Sequence, residues 1–117
     1  AMAKLLLVSD SQWVKNDVKG ALALGEWDLE EVDDPRQAAH RATATAADVV
    51  VVDLQIGSMG GMAVIREIRA ETDEETRPRT VLLLDRTADH FLARRAGADV
   101  AVKKPFTAQE LRAALKP

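Results

Sequence analysis

The chain has 117 residues, of which 47% are hydrophobic and 30% charged, and its formal net charge is -3. That length provides one substantial hydrophobic core, so residues 1–117 are expected to form a single domain. The chain has no cysteine, which excludes disulfides and thiolate metal sites, and its mildly acidic balance argues against direct nucleic-acid binding. Because no apolar segment reaches membrane-spanning length and no signal-peptide pattern is found, we expect a cytoplasmic location without membrane insertion.

Three continuous apolar runs are each followed at once by polar residues that include a carboxylate. The runs are residues 4–8, before Ser9 and Asp10; residues 49–52, before Asp53; and residues 81–84, before Asp85. Unbroken rather than alternating apolar character indicates strands that are covered on both faces, as in a parallel sheet between helices. Shorter strands are predicted at residues 29–32 and 100–103.

Segments of helical periodicity separate these strands. They lie around Val14 and Val18, over residues 35–45, from residue 62 to 68, over residues 88–96 and from residue 107 to 115. Asp34 is a predicted N-cap, T-A-Q-E at residues 107–110 is a capping box, and Gly97 is typical of a helix C-terminus. Five alternating strand and helix units predict an α/β fold, a doubly wound five-stranded parallel sheet of flavodoxin-like type with strand order 2-1-3-4-5.

In that strand order, polar residues from four strands share the carboxyl edge of the sheet. They are Ser9, Asp10, Asp53, Asp85 and Lys104. Grouped carboxylates repel one another unless a cation is present, and oxygen atoms are the ligands that Mg²⁺ prefers. A lysine opposite them is suited to hold a phosphoryl oxygen as a point charge.

Three segments resemble the receiver domains of two-component response regulators. They are L-L-L-V-S-D at the first strand, V-V-V-V-D-L-Q-I-G-S-M-G-G at the third, and G-A-D-V-A-V-K-K-P-F-T-A-Q-E-L near the end. The resemblance covers essentially the whole chain and implies a phosphorelay signalling module, not an enzyme. It implies that Asp53 accepts a phosphoryl group from a histidine kinase or a small phosphodonor.

The same resemblance assigns roles to the neighbours of Asp53. By position, Asp10 and Asp53 would bind Mg²⁺ together with the backbone carbonyl of Gln55. Lys104 would contact the phosphoryl group, and the peptide bond between Lys104 and Pro105 would be cis.

The chain departs from the family pattern around the predicted site. Ser9 replaces one of two adjacent acids, which should weaken Mg²⁺ binding. Asp85 replaces the switch Thr or Ser that ends the fourth strand, and Ala101 replaces the aromatic residue of the fifth. Gly57 and Gly60 make the loop after Asp53 more pliable.

The carboxylate of Asp85 would oppose a phosphoryl group on Asp53. Two unit charges about 4 Å apart interact by roughly 4 kcal/mol at an effective dielectric of about 20. Lys104 and Arg86 are the candidate partners that could offset this charge, and a pair with Lys104 would leave the site internally neutralised. Thr87 is a candidate substitute hydroxyl, although its register argues against that role.

Two functions therefore remain open. One is a receiver, either free-standing or part of a longer regulator, that takes a phosphoryl group on Asp53 with Mg²⁺. The other is an atypical, phosphorylation-independent receiver that acts as a protein-protein interaction module. A phosphatase that uses Asp53 as its nucleophile is disfavoured, because Gln55 stands where that chemistry needs a second acid.

A basic surface is predicted on the fourth helix, fifth strand and fifth helix, the common partner surface of receivers. It comprises His90, Arg94, Lys103 and Arg112. A homodimer contact or a downstream protein target is predicted there. Trp13 follows Asp10 closely enough to cover the mouth of the site, and Trp27 is expected to pack beneath the first helix.

Overall fold

The computed structural model describes residues 2–23 and 25–117. The strands are β1 (Ala3–Val8), β2 (Trp27–Val32), β3 (Val49–Asp53), β4 (Arg79–Leu84) and β5 (Val100–Lys103). They form one sheet in the order β2-β1-β3-β4-β5, and all neighbouring pairs are parallel. The predicted fold class and strand order are confirmed.

In the part of the chain that the structure describes, five α-helices connect or follow these strands. They are α1 (Gln12–Ala21), α2 (Ala38–Ala44), α3 (Gly61–Glu71), α4 (His90–Ala96) and α5 (Ala108–Leu115). The capping box of Thr107 and Glu110 is present at the start of α5, and Gly97 ends α4 in the left-handed conformation, with φ of 83°.

Two of the predicted helices begin with a short 3-10 turn instead of an α-turn. These turns are Pro35–Gln37 before α2 and Thr87–Asp89 before α4. In the first, the Asp34 side chain accepts from the backbone N–H of Arg36, only two residues on, which favours a tight turn. In the second, Arg86 pairs with Asp89, and this spacing of three matches the repeat of a 3-10 helix.

The strands bury both faces because successive side chains point to opposite sides of the sheet. Leu6, Val8 and their in-register partners pack against α2, α3 and α4, whereas Leu5 and Leu7 pack against α1 and α5. Trp27 is half-buried against the second of these clusters, which includes the apolar side of α1, as predicted.

The edge strand β2 is tied to helices on both faces by ion pairs. Glu31 lies 2.8 Å from Lys19 Nζ of α1, and Glu30 lies 2.8 Å from Arg41 Nε of α2. Adjacent acids therefore face opposite sides of the sheet, and each side has a basic partner.

The junction between β3 and α3 depends on Gly61. Its N–H donates to the Leu54 carbonyl at 2.9 Å, and a Cβ at this position would overlap the Asp53 carbonyl oxygen and approach Leu54 Cα to 2.9 Å. The first turn of α3 is thereby held directly against the end of β3.

Within residues 2–23 and 25–117, no helix has the length and apolar character needed to cross a membrane.

Candidate functional site

The end of β3 delivers Asp53 to the carboxyl edge of the sheet. The valines before it are buried on both faces, and Asp53 itself is 2% exposed. The residue still borders a cleft of about 510 Å³ that opens to solvent. We call this the acceptor cleft; its lining residues are Ser11, Trp13, Val14, Asp53, Gln55, Asp85, Lys104 and Pro105.

Each oxygen of the Asp53 carboxylate accepts a hydrogen bond from a side chain. Lys104 Nζ donates to Oδ1 at 2.8 Å, and Ser9 Oγ donates to Oδ2 at 3.2 Å. Ser9 is fully buried, and its Oγ accepts the backbone N–H of Ser11 at 3.1 Å. Because that acceptance occupies a lone pair of the hydroxyl, its hydrogen is free to point at Asp53.

Lys104 reaches Asp53 from the loop after β5. Its backbone N–H donates to the Leu84 carbonyl at 2.7 Å, which places the lysine beside the end of β4. The peptide bond between Lys104 and Pro105 is cis, as the family resemblance implied.

The same ammonium binds a second carboxylate. Lys104 Nζ lies 3.1 Å from Asp85 Oδ1 as well as 2.8 Å from Asp53 Oδ1. Burial lowers the pKa of Lys104, but hydrogen bonds to Asp53 and then Asp85 outweigh it and raise the pKa above its ordinary value. One cation is therefore shared between two acids.

Arg86, the other candidate partner of Asp85, makes a different contact. Its guanidinium donates to both carboxylate oxygens of Asp89, at 3.1 and 2.8 Å, and these bonds raise its pKa. Thr87 begins the 3-10 turn before α4, is exposed and does not line the acceptor cleft.

Asp10, the predicted metal ligand after β1, accepts a hydrogen bond from the loop that follows β3. Its Oδ2 accepts the backbone N–H of Gly57 at 3.0 Å, which ties the end of β1 to the loop between β3 and α3. Asp10 is exposed, and Gln55 is an exposed residue of that same loop on the wall of the cleft. In the described part of the chain, no three His, Asp or Glu side chains form a group that could hold a metal by themselves.

Trp13 stands at the mouth of the acceptor cleft, as its position after Asp10 suggested. It is among the lining residues and is 65% exposed. An aromatic side chain this exposed beside a buried carboxylate restricts what can approach Asp53 from the α1 side.

The predicted basic surface is only partly assembled. His90 and Lys103 line one cleft of about 500 Å³, together with Ala101 and Glu110. The structure does not bring Arg112 to it, because the Arg112 guanidinium donates to the Ala21 carbonyl beside α1, at 3.1 Å. Arg94 is exposed on α4 but does not line this cleft.

The sequence reasoning missed two local roles. It treated Ser9 only as a missing acid, whereas the buried hydroxyl donates to Asp53. It also assigned loop pliability to Gly57 and Gly60 without seeing that Gly61 is the residue with no room for a side chain. Gly60 and Gly61 are adjacent, and the sequence carries no signal that separates them.

Comparison with known proteins agrees with this geometry. Residues 5–116 match the family model described as the response regulator receiver domain. Among curated proteins, the transcriptional regulatory protein TrcR of Mycobacterium tuberculosis is 32% identical over 113 residues, which is 97% of this chain and 44% of TrcR. The response regulator MprA of Mycolicibacterium vanbaalenii is 28% identical over 114 residues, 97% of this chain and 48% of MprA. The chain thus spans about half the length of these relatives.

Solved structures with the same fold include the chemotaxis protein CheY4 of Vibrio cholerae, with a TM-score of 0.85 and 26% identity over 98% of this chain and 97% of that one. The receiver domain of the sensor histidine kinase PA1611 of Pseudomonas aeruginosa has a TM-score of 0.84 and 26% identity, over 98% and 95% of the two chains. That structure has a magnesium ion coordinated in its active-site cleft.

The family model covers nearly the whole chain, the sheet has the strand order of its structural neighbours, and an aspartate with a facing lysine lies at the expected edge. The chain therefore belongs to the response regulator receiver domain family, the receiver modules of two-component signalling.

Proposed function

We propose that this receiver accepts a phosphoryl group on Asp53 and that Asp85 competes with that group for Lys104. The observation that carries the proposal is the position of Asp53: a carboxylate held at the end of a rigid strand, bordering an open cleft, with an ammonium 2.8 Å away. The chain is proposed to act as one receiver unit over residues 1–117.

The transfer needs little covalent chemistry from the protein. An Asp53 oxygen forms a bond to phosphorus while the bond between phosphorus and the donor breaks, and the donor leaves with that electron pair. Lys104 is placed to offset charge on the phosphoryl oxygens. Ser9 holds the other carboxylate oxygen, which limits rotation of the Asp53 side chain during the approach.

The donor set fits Mg²⁺, the ion that the family implies, with less charge than is usual. Asp10, Asp53 and the Gln55 carbonyl supply oxygen atoms only, and Mg²⁺ is often bound through one or two carboxylates plus water. When bound, the ion would offset negative charge on the transferring group. Because the neutral Ser9 stands where a further acid is usual, we propose that Mg²⁺ binds weakly here.

Asp85 lowers the affinity of the site for phosphate in this proposal. Lys104 is already shared by two carboxylates, so a phosphoryl group must displace Asp85 to obtain the full charge of the ammonium. This shared ion pair also supports a second candidate, a receiver whose partner binding does not depend on phosphate. In that case Lys104 would stay paired with Asp85, and no phosphoryl group would displace Asp85.

The partners proposed are a histidine kinase or small phosphodonor on the input side and a downstream protein on the output side. For the output, the cleft lined by His90 and Lys103 is the proposed contact surface, and a homodimer through it is one form that contact could take. Sedimentation equilibrium at low and high salt tests this: a monomer indifferent to salt and phosphodonor would count against a charged dimer contact.

Intact mass after incubation with Mg²⁺ and acetyl phosphate tests the acceptor directly. We expect a gain of one phosphoryl group in the wild type and none in Asp53→Asn. Asp48→Asn is the matched control, since it makes the same change at the opposite end of the sheet, where the Asp48 carboxylate accepts from Lys4 N at 2.8 Å.

The variant Asp85→Thr separates the two candidates. If Asp85 only competes for Lys104, this variant should reach a higher phosphorylated fraction than the wild type at equal Mg²⁺. Failure of both proteins to gain mass at every Mg²⁺ concentration would reject the acceptor proposal and leave the phosphate-independent module.

A further inference from the structure

Asp85 differs from the other two members of its ion pair in exposure. The Asp85 side chain is 46% exposed, whereas those of Lys104 and Asp53 are 12% and 2% exposed. If the three groups rearrange, Asp85 is the one whose side chain can turn outward into solvent. A displaced Asp85 would therefore move away from the acceptor cleft.

A phosphoryl group on Asp53 drives that rearrangement. It brings close to two negative charges to the end of β3 and draws the Lys104 ammonium toward its own oxygens. Asp85 then loses its cation and faces a like charge across the cleft that both residues line.

A second cation lies next to Asp85 in the chain. The Arg86 side chain is 74% exposed, so its guanidinium can reorient at the surface once its bonds to Asp89 open. The hydrogen bond with Asp89 and then the charge of Asp89 are the main causes that raise the pKa of Arg86, and the charge of Asp85 is the smallest cause.

The pair that Arg86 makes now stabilises the start of α4. Asp89 is 6% exposed and closes the 3-10 turn Thr87–Asp89, immediately before α4 begins at His90. The next residue, Phe91, is a large apolar side chain that is 45% exposed. A change in the contact between Arg86 and Asp89 would therefore affect the exposed apolar side chain of Phe91.

We propose that phosphorylation transfers Asp85 from Lys104 to Arg86, which opens the pair between Arg86 and Asp89 and loosens residues 85–91. This inference rests on the proposed acceptor function of Asp53. A neutral hydroxyl at this position could donate to a phosphoryl oxygen and be drawn inward, but the carboxylate of Asp85 is repelled outward. The output of this chain is thus a loosening of the start of α4, opposite in direction to a hydroxyl switch.

Hydrogen exchange measured by mass spectrometry tests the transfer in the full chain. Samples are prepared with and without acetyl phosphate and Mg²⁺, and the phosphorylated fraction is read from the intact mass of the same samples. We expect exchange in the peptide over residues 85–91 to rise at least about threefold on phosphorylation, because the start of α4 loses a pair in which Asp89 is buried and only Arg86 is exposed. The peptide containing β1 should not change.

Two variants identify the groups involved. In Asp85→Asn, which keeps the shape but removes the charge, phosphorylation should raise exchange by less than half as much. In Arg86→Gln, exchange over residues 85–91 should already be high before phosphorylation and should rise no further.

The possible outcomes distinguish the transfer of Asp85 from the acceptor function of Asp53. A gain of mass with increased exchange that requires both Asp85 and Arg86 supports the transfer. A gain of mass with unchanged or slower exchange in the wild type overturns the transfer and leaves Asp53 as the acceptor. No gain of mass in any variant rejects the acceptor function and this inference together.

Discussion

Both ends of the sheet carry carboxylates beside the strands, but Asp53 at the carboxyl end is bound differently from Asp48 and Asp99 at the amino end. At the amino end, Asp48 accepts the backbone N–H of Lys4 at 2.8 Å, and Asp99 accepts the backbone N–H of Thr80 at 2.8 Å and its hydroxyl at 3.2 Å. Backbone donors of this kind cannot move without moving a strand.

At the carboxyl end, the donors to Asp53 are the side chains of Lys104 and Ser9. Lys104 has flexible bonds between its ammonium and the backbone, and it already contacts a second acid. The donors to Asp53 can therefore turn toward an incoming anion, whereas the strand N–H groups that hold Asp48 and Asp99 cannot. The comparison shows why Asp53 is a better candidate for a functional carboxylate than Asp48 or Asp99.

The largest effect on stability is expected at the junction between β3 and α3, next to Asp53. Gly61→Ala places a Cβ against the backbone of Asp53 and Leu54, so we expect the free energy of unfolding to fall by about 3 kcal/mol. Urea denaturation measures the change. Gly20→Ala is the control, because nothing lies within 4 Å of a Cβ there and a small stabilisation is expected, about 0.5 to 1 kcal/mol. Equal changes in the free energy of unfolding at the two glycines would contradict the prediction, because they would show that the backbone around Gly61 has room for a Cβ.

A second prediction compares the two kinds of carboxylate. Asp99→Ala removes the acceptor of a backbone N–H on buried Thr80 and should lower the free energy of unfolding by about 1 to 2 kcal/mol. Asp53→Ala should cost less: buried Ser9 loses its acceptor, but Lys104 keeps Asp85 and the crowding of two acids is relieved. Urea denaturation of both variants at the same pH gives the comparison, and the reverse order would contradict it.

The smallest effect on stability is expected for Glu30, a partly exposed acid whose hydrogen-bond donor is the side chain of Arg41. The hydrogen bond from Arg41 lowers the pKa of Glu30, and burial opposes part of that effect. A lowered pKa contributes stability above the ordinary value of 4.5, and that contribution is lost as pH falls through the folded-state pKa.

Glu30→Gln should therefore cost only about 0.3 kcal/mol at pH 7, because both partners are about 40% exposed and the pair is screened by water. The difference from the wild type should shrink as the pH is lowered below 4.5. Thermal unfolding at several pH values measures it. A difference that grows in acid would show that the ion pair is not its source.

The fold could be predicted from the sequence because its main signals are local. Unbroken apolar runs marked β1, β3 and β4, and caps such as Thr107 and Gly97 marked helix ends. The start of β2 was placed two residues late, at residue 29 instead of Trp27, because an edge strand carries acids that weaken the apolar pattern.

The site was less predictable because its contacts depend on which way long side chains turn. The positions of Asp53, Lys104 and Asp85 at one edge followed from strand order, but the choice of Lys104 rather than Arg86 as the partner of Asp85 did not. For the same reason, helical spacing gave no way to see that the Arg112 guanidinium would donate to the Ala21 carbonyl. The role of Ser9 depends on the hydrogen bond that fixes its hydroxyl, which has no sequence signal.

The ion pairs along β2 also affect the behaviour of the protein at high concentration. β2 lies at the edge of the sheet, so the backbone groups on its outer side are open to another chain. A strand from a second molecule that docked in parallel there would lie beside Glu30 and Glu31, whose positions are fixed by Arg41 and Lys19. Because two copies of this edge would bring acid against acid, Glu30 and Glu31 oppose aggregation through it, while their pairs with Arg41 and Lys19 offset part of that repulsion.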